Sequence, residues 1–161
     1  MEQAGAIMKK VLIAVDDTKG TKGSFSMCSK LCSCISPEEV ILVYVEKFEG
    51  RSLIDEMLGD AEISTLKEVL EGTEYKEALD KKAKVVVDFY KDYLEKTPPV
   101  PNITTLIKMG NPAEEILLSA KEEGVDMIIV GSRGKRVSHL FMGSVSREVI
   151  NMAEVPVLVV K

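Results

Sequence analysis

Four short, nearly unbroken apolar runs recur along this chain: Val11 to Val15 in KKVLIAVDD, Val40 to Val45 in EEVILVYVEK, Met127 to Val130 in DMIIVG, and Val155 to Val160 in VPVLVV. They are continuous rather than alternating and rich in β-branched residues, which predicts strands buried on both faces. In NITTLIKMG, Ile103, Thr105 and Ile107 alternate with their neighbours and predict a fifth strand.

The intervening segments carry helical signals. In NPAEEILLSAKEEGVD, Asn111 stands at the cap, Pro112 at the first helical position, Glu114 where it completes a capping box, and Gly124 at the stop. From Tyr75 to Leu94, residues Tyr75, Leu79, Lys82, Val86, Phe89 and Tyr93 recur at steps of three or four and predict one buried helical face, with Lys82 snorkelling. Phe48 to Gly72 mixes helical periodicity with Gly50, Gly59 and Gly72 and reads as one or two helices; KTPPVPN, Lys96 to Asn102, is a stiff connector. Strands alternating with helices predict an α/β domain with a largely parallel sheet, because parallel strands need long crossovers that cover both faces.

At 161 residues the chain, 1–161, fits a single domain. The 21 Lys and Arg against 26 Asp and Glu leave a net charge of −5, which disfavours nucleic acid and anionic membrane surfaces as partners. No apolar run has the ~18 residues of a transmembrane helix, and the MEQAGAIMKK start lacks a secretory signal pattern. Cys28, Cys32 and Cys34 crowd into seven residues with no distant partner, a pattern that fits a reducing, cytoplasmic compartment. They read as small core residues of a first helix rather than as a zinc or redox site. Met142 and Met152 read as packing residues, and His139, the only histidine, has no second histidine for a triad or metal pair.

The chemistry concentrates in GSRGKRVSHLFMGSVS, Gly131 to Ser146, between the fourth and fifth strands. In open α/β sheets ligands bind beyond the carboxyl ends of the strands, where strand order reverses. Gly131 to Gly134 occupies that place, where missing Cβ atoms let backbone N–H groups approach an anion. Gly143 and Ser144 then open a helix from Val145 to about Ala153, whose N-terminus offers unpaired N–H groups and the positive end of a dipole. Together with Arg133, Lys135 and Arg136, these two clusters read as a two-sided grip suited to a polyphosphate; the other reading is that the glycines only turn the chain and Ser144 only caps the helix. DDTKGTKGS after the first strand lacks a dinucleotide-binding glycine pattern, and GSRGKR lacks that of a P-loop.

The arrangement G-x2-G-x8-G-S, with KKVLIAVDD at the start, MGNPAEEIL in the middle and VPVLVVK at the end, resembles the universal stress protein family. The resemblance implies a Rossmann-like three-layer sandwich around a five-stranded parallel sheet and, in the ATP-binding branch, ATP with Mg2+ or Mn2+ across the ends of strands one and four. Carried over by position, Ala14, Val15 and Asp16 resemble the adenosine wall, with Asp16 accepting hydrogen bonds, and Val45 the residue whose backbone reads adenine. Val130, Gly131, Ser132, Arg133 and Gly134 resemble the residues along ribose and phosphates, and Gly143, Ser144, Val145 and Ser146 the second phosphate grip. The family pattern has nine residues between its second and third glycines, where this chain has eight, Lys135 to Met142.

The resemblance also implies a homodimer paired through the last strand, Val155 to Val160, an apolar edge that suits such pairing. The expected function is adenine-nucleotide binding as a stress-response switch, with slow or absent hydrolysis, since no activated nucleophile or water-positioning base is visible. Two rivals stand beside it: a nucleotide-free dimeric scaffold, and a slow ATPase or phosphoryl-transfer enzyme using Asp16 and a metal. Asp16 and Asp17 read first as caps of the next turn rather than as an acid/base pair.

Overall fold

The computed structural model describes residues 8–46, 60–96, 100, 102–132 and 142–161. Its elements run β1 (Lys10–Ala14), α1 (Lys19–Ile35), β2 (Glu39–Glu46), α2 (Asp60–Leu70), α3 (Glu74–Glu95), β3 (Asn102–Met109), α4 (Pro112–Glu122), β4 (Met127–Gly131), α5 (Ser144–Met152) and β5 (Val157–Val160). The five strands form one sheet in the order β3-β2-β1-β4-β5, every pair parallel. The expected α/β architecture is the observed one.

Strand alternation sorts the core into two layers. Val11, Ile13, Val15, Val40, Leu42 and Tyr44 pack with Phe25, Cys28 and Cys32 of α1 and with Ala83, Val87, Tyr90 and Leu94 of α3. Leu12, Ile41, Val43, Val45, Ile128 and Val130 pack with Ala113, Ile116 and Ala120 of α4 and Val149 of α5. Helices thus cover both faces, which is why β1, β2 and β4 read as unbroken apolar runs. Burial of each large aliphatic side chain contributes roughly 1.5–3 kcal/mol. Burial also pushes the Cys28 thiol up to about 12, with Cys32 beside it adding to the shift, and the Cys32 thiol up to about 11; both sit in the core as small apolar residues.

The helix ends follow local chemistry. Asn111 accepts the Ala113 N–H at 3.0 Å, and Pro112 opens α4 as expected. At the other end Gly124, at φ +59°, donates to Lys121 O while Val125 donates to Ala120 O, the paired bonds of a Schellman stop that only a left-handed residue completes. Thr18 caps α1 and Thr73 caps α3, each accepting an N–H from its own first turn.

α3 departs from the sequence expectation. Tyr75, Phe89 and Tyr93, assigned to the buried face, are 42%, 50% and 40% exposed. The buried stripe is Ala83, Val86, Val87, Tyr90 and Leu94. Two apolar stripes one residue apart, about 100° around the axis, share this helix, and the sheet selects the one carrying the smaller Ala83 and the polar-tipped Tyr90. Phe89 and Tyr93 form a rim instead: Tyr93 meets the Phe25 ring edge-on at 5.5 Å, and Lys22 stands 5.4 Å above Phe89. Lys82 pairs with Asp17 at 3.1 Å. Within Phe48 to Gly72, α2 supplies one helix from residue 60 onward, and residues 47–59 lie outside the described residues. Met142 and Met152, expected to pack, are 38% and 66% exposed on the outer side of α5 and its approach.

α3 braces the carboxyl edge of the sheet at two points. The Tyr90 hydroxyl, on a fully buried ring, donates to Asp16 O at 2.9 Å just beyond β1. At the end of β2, Glu46 is 1% exposed; its Oε2 accepts from Lys76 Nζ at 3.2 Å, and its Oε1 has no hydrogen-bond partner. Lys76 also pairs with Asp80. Burial raises the Glu46 pKa above the usual carboxylate range, only partly offset by Lys76.

Replacing Tyr90 by Phe keeps the ring and removes the brace; the Tm is expected to fall by about 2–4 °C, the size of roughly 1 kcal/mol for one lost buried hydrogen bond, by calorimetry or dichroism. For Glu46 the raised pKa means that the folded chain holds this proton more tightly than the unfolded chain. Its contribution to stability is therefore full in acid and lost as pH rises through its folded pKa. Glu46→Gln, which leaves Lys76 paired with Asp80, is expected to raise the Tm at pH 7.5, and the gain to vanish toward pH 4 where the wild-type carboxyl is protonated.

Candidate functional site

The sheet order places the crevice. β1 leads through α1 to β2 on one side, whereas β3 leads through α4 to β4 on the other, so strand order reverses between β1 and β4. The β1–β4 ladder pairs Val11 with Met127, Leu12 with Ile128 and Ile13 with Ile129, and there it stops. Beyond it lie Ala14, Val15 and Asp16 on one strand and Val130, Gly131 and Ser132 on the other. Extended by the register of β1 on β2, in which Ala14 faces Val43, Val45 lies level with Asp16. The structure therefore brings the sequence-selected residues of three strands to one edge.

Their side chains differ in availability. Val15, Val45 and Val130 are buried in the core, leaving only backbone groups to face a ligand, while Ala14 and Gly131 are half-buried. Asp16 is half-buried, and its Oδ1 accepts the Thr18 N–H at 2.8 Å and the Thr18 hydroxyl at 2.5 Å. The aspartate thus shapes the turn into α1, as its position before Thr18 led us to expect. Ile13, Ala14, Val130 and Gly131 also line, with Ile129 and Thr21, Phe25 and Cys28 of α1, a cavity of about 10 Å³, room for roughly one water molecule at the floor of the crevice.

The glycine segment closes on itself at both ends. Ser132 N–H donates to Val160 O at 2.7 Å, and Gly143 N–H donates to Ser132 O at 2.9 Å. Ser146, 5% exposed, donates its hydroxyl to Gly131 O at 2.5 Å. The Gly143 amide and the Ser146 hydroxyl, both expected to face phosphate, are turned inward. What remains is the first turn of α5, where Ser144 is exposed, Val145 half-buried, and no side chain caps the helix. By contrast, the first turns of α1, α3 and α4 each have a capping side chain. Gly143 adopts φ −60°, ψ 151°, a conformation open to any residue, so it is not required there for backbone freedom. Arg133 and Gly134, the basic residues Lys135 and Arg136, and His139 lie outside the described residues.

Sequence reasoning missed Thr18, Thr21, Phe25, Cys28 and Tyr90. The Asp-Asp-Thr succession carried a local signal for Thr18, but nothing in the sequence sets Tyr90 beneath Asp16, 74 residues away. Among the described residues no group of three or more His, Cys, Asp or Glu side chains is arranged to hold a metal ion, and no helix is long and apolar enough to cross a membrane.

Known proteins share both sequence and shape. The model of the universal stress protein family matches residues 8–161. Universal stress protein MJ0577 of Methanocaldococcus jannaschii is 34% identical over 157 residues, 95% of this chain and 94% of the relative. Its solved structure superposes with a TM-score of 0.71 over 95% of both chains. A universal stress protein family protein from Arabidopsis thaliana, solved with AMP bound, is 20% identical, with a TM-score of 0.61 over 95% of this chain and 91% of that one. The universal stress protein of Archaeoglobus fulgidus in complex with dAMP is 18% identical, with a TM-score of 0.57 over 96% of this chain and 99% of that one. These last two likenesses concern the fold. Matched by the family model from residue 8 to residue 161 and 34% identical to a member over nearly its whole length, this chain belongs to the universal stress protein family.

Proposed function

We propose that this protein binds an adenine nucleotide, ATP with Mg2+ or Mn2+, across the carboxyl ends of β1 and β4, and acts as a cytoplasmic stress-response switch with slow or absent hydrolysis. The observation that carries the reading is the first turn of α5: it lacks a side-chain cap and is held by hydrogen bonds beside the end of β4 at the strand-order reversal. Unpaired N–H groups and the helix dipole favour a phosphate there, against the net charge of −5. Relatives of the same fold that hold AMP and dAMP support an adenine ligand. With no acidic cluster for a metal among the described residues, a divalent cation would be held mainly by phosphate oxygens, with Asp16 a carboxylate at the same edge. Asp16 already accepts two hydrogen bonds from Thr18, which suits a fixed acceptor for ligand hydroxyl or amino groups better than a proton-abstracting base.

A homodimer through β5 belongs to the same proposal. Ile128 N–H bonds to Pro156 O and Ser132 N–H to Val160 O, so even-numbered β5 residues face β4 while Val157 and Val159 turn their backbone groups to the open edge. Ile150 and Met152, 38% and 66% exposed on the preceding helix, add apolar surface nearby.

Ser144→Pro tests the nucleotide reading cleanly. Proline is favoured at the first helical position, and Gly143 already has the extended conformation that proline imposes on its predecessor, so the variant folds while losing the Ser144 amide donor together with its exposed hydroxyl. Calorimetric titration of nucleotide-stripped wild type with ATP and Mg2+ is expected to show binding, weakened about 10- to 100-fold in Ser144→Pro, the worth of one hydrogen bond to a charged group. No heat and no Tm shift with wild type up to millimolar ATP would leave the scaffold reading in its place. For the dimer, light scattering is expected to give twice the chain mass for wild type and the chain mass for Val159→Pro, which removes an edge N–H without touching the β4 ladder; a wild-type monomer at micromolar concentration would refute it.

A further inference from the structure

The Gly131 carbonyl lies where it would harm anion binding. Ile128 and Ser132 donate to β5, so by alternation Gly131 turns its backbone toward β1, yet the β1–β4 ladder has ended two residues earlier at Ile129. An unpaired carbonyl oxygen facing the crevice would set a partial negative charge against a phosphate and leave a strand end unsatisfied. The Ser146 hydroxyl meets it from 15 residues away at 2.5 Å, and the residue is 5% exposed. A serine in the first helical turn ordinarily bonds to its own helix or to water. Here it spans to the strand, and beside it the Gly143 N–H bonds to Ser132 O at 2.9 Å.

We propose that Ser146 is a positioning residue of the nucleotide site: its hydroxyl masks the Gly131 carbonyl and fastens the first turn of α5 to the end of β4. The role rests on the nucleotide reading of the crevice. Because both ends of the glycine segment are pinned by these bonds, the distance between the Gly131 and Gly143 sides is set independently of how many residues join them. The eight-residue bridge is then compatible with the same grip as a longer one.

The test combines amide hydrogen exchange on ligand-free protein with ATP and adenosine titrations of wild type, Ser146→Ala and Ser146→Thr. Ser146→Ala is expected to exchange the Gly143 amide about tenfold faster and to lose about tenfold in ATP affinity, with adenosine affinity changed less than about twofold; Ser146→Thr, which keeps the hydroxyl, restores both. Unchanged exchange with ATP affinity lost would mean that the hydroxyl touches the phosphate itself, and equal losses for ATP and adenosine would mean general loosening; either overturns the positioning role. Wild type that binds no ATP ends the nucleotide reading and the positioning role with it. Faster exchange in Ser146→Ala would then identify the latch as a purely structural bond.

Discussion

Helices on opposite faces feed the strands on either side of β1, so at the carboxyl ends of β1 and β4 the departing chains diverge. Much of what is distinctive at that edge answers this divergence. Where the β1–β4 ladder ends, backbone groups that a strand would have paired must find other partners. Asp16 O takes the Tyr90 hydroxyl and Gly131 O takes the Ser146 hydroxyl, while on the β5 side Ser132 bonds to Val160 and Gly143. The crevice is thus framed by bonds that come from both helical layers and from β5.

The same edge is tuned in charge. Carboxylates there are engaged: Asp16 in the turn to α1, Asp17 with Lys82, and Glu46 with Lys76. Glu46 is the costly member, an almost fully buried carboxylate with one unpartnered oxygen, and its ion pair makes up only part of the loss of water. Apart from that one oxygen, these carboxylates are thereby tied down, while the first turn of α5 keeps its donors free of a side-chain cap. The proposed nucleotide, anionic at one end and hydrogen-bonding at the other, would suit such an arrangement in a protein that carries net negative charge.

The sequence by itself determined the strands, most helix ends and the set of residues that meet beyond the β1–β4 ladder. β1, β2 and β4 were legible because strands buried on both faces must be apolar throughout, and α4 because Asn111, Pro112 and Gly124 each meet a local backbone requirement. The glycine segment stood out because its glycines and serines directly follow the fourth apolar run, although Gly143 adopts a conformation open to any residue. Only the tertiary structure decided which stripe of α3 is buried, since two stripes satisfy helical periodicity and the sheet alone chooses between them. It alone, too, turned the Gly143 amide and the Ser146 hydroxyl inward, because their partners, Ser132 and Gly131, are distant in sequence and adjacent only once β4 and α5 pack. Local chemistry shows which groups can bond; the fold decides which of them meet.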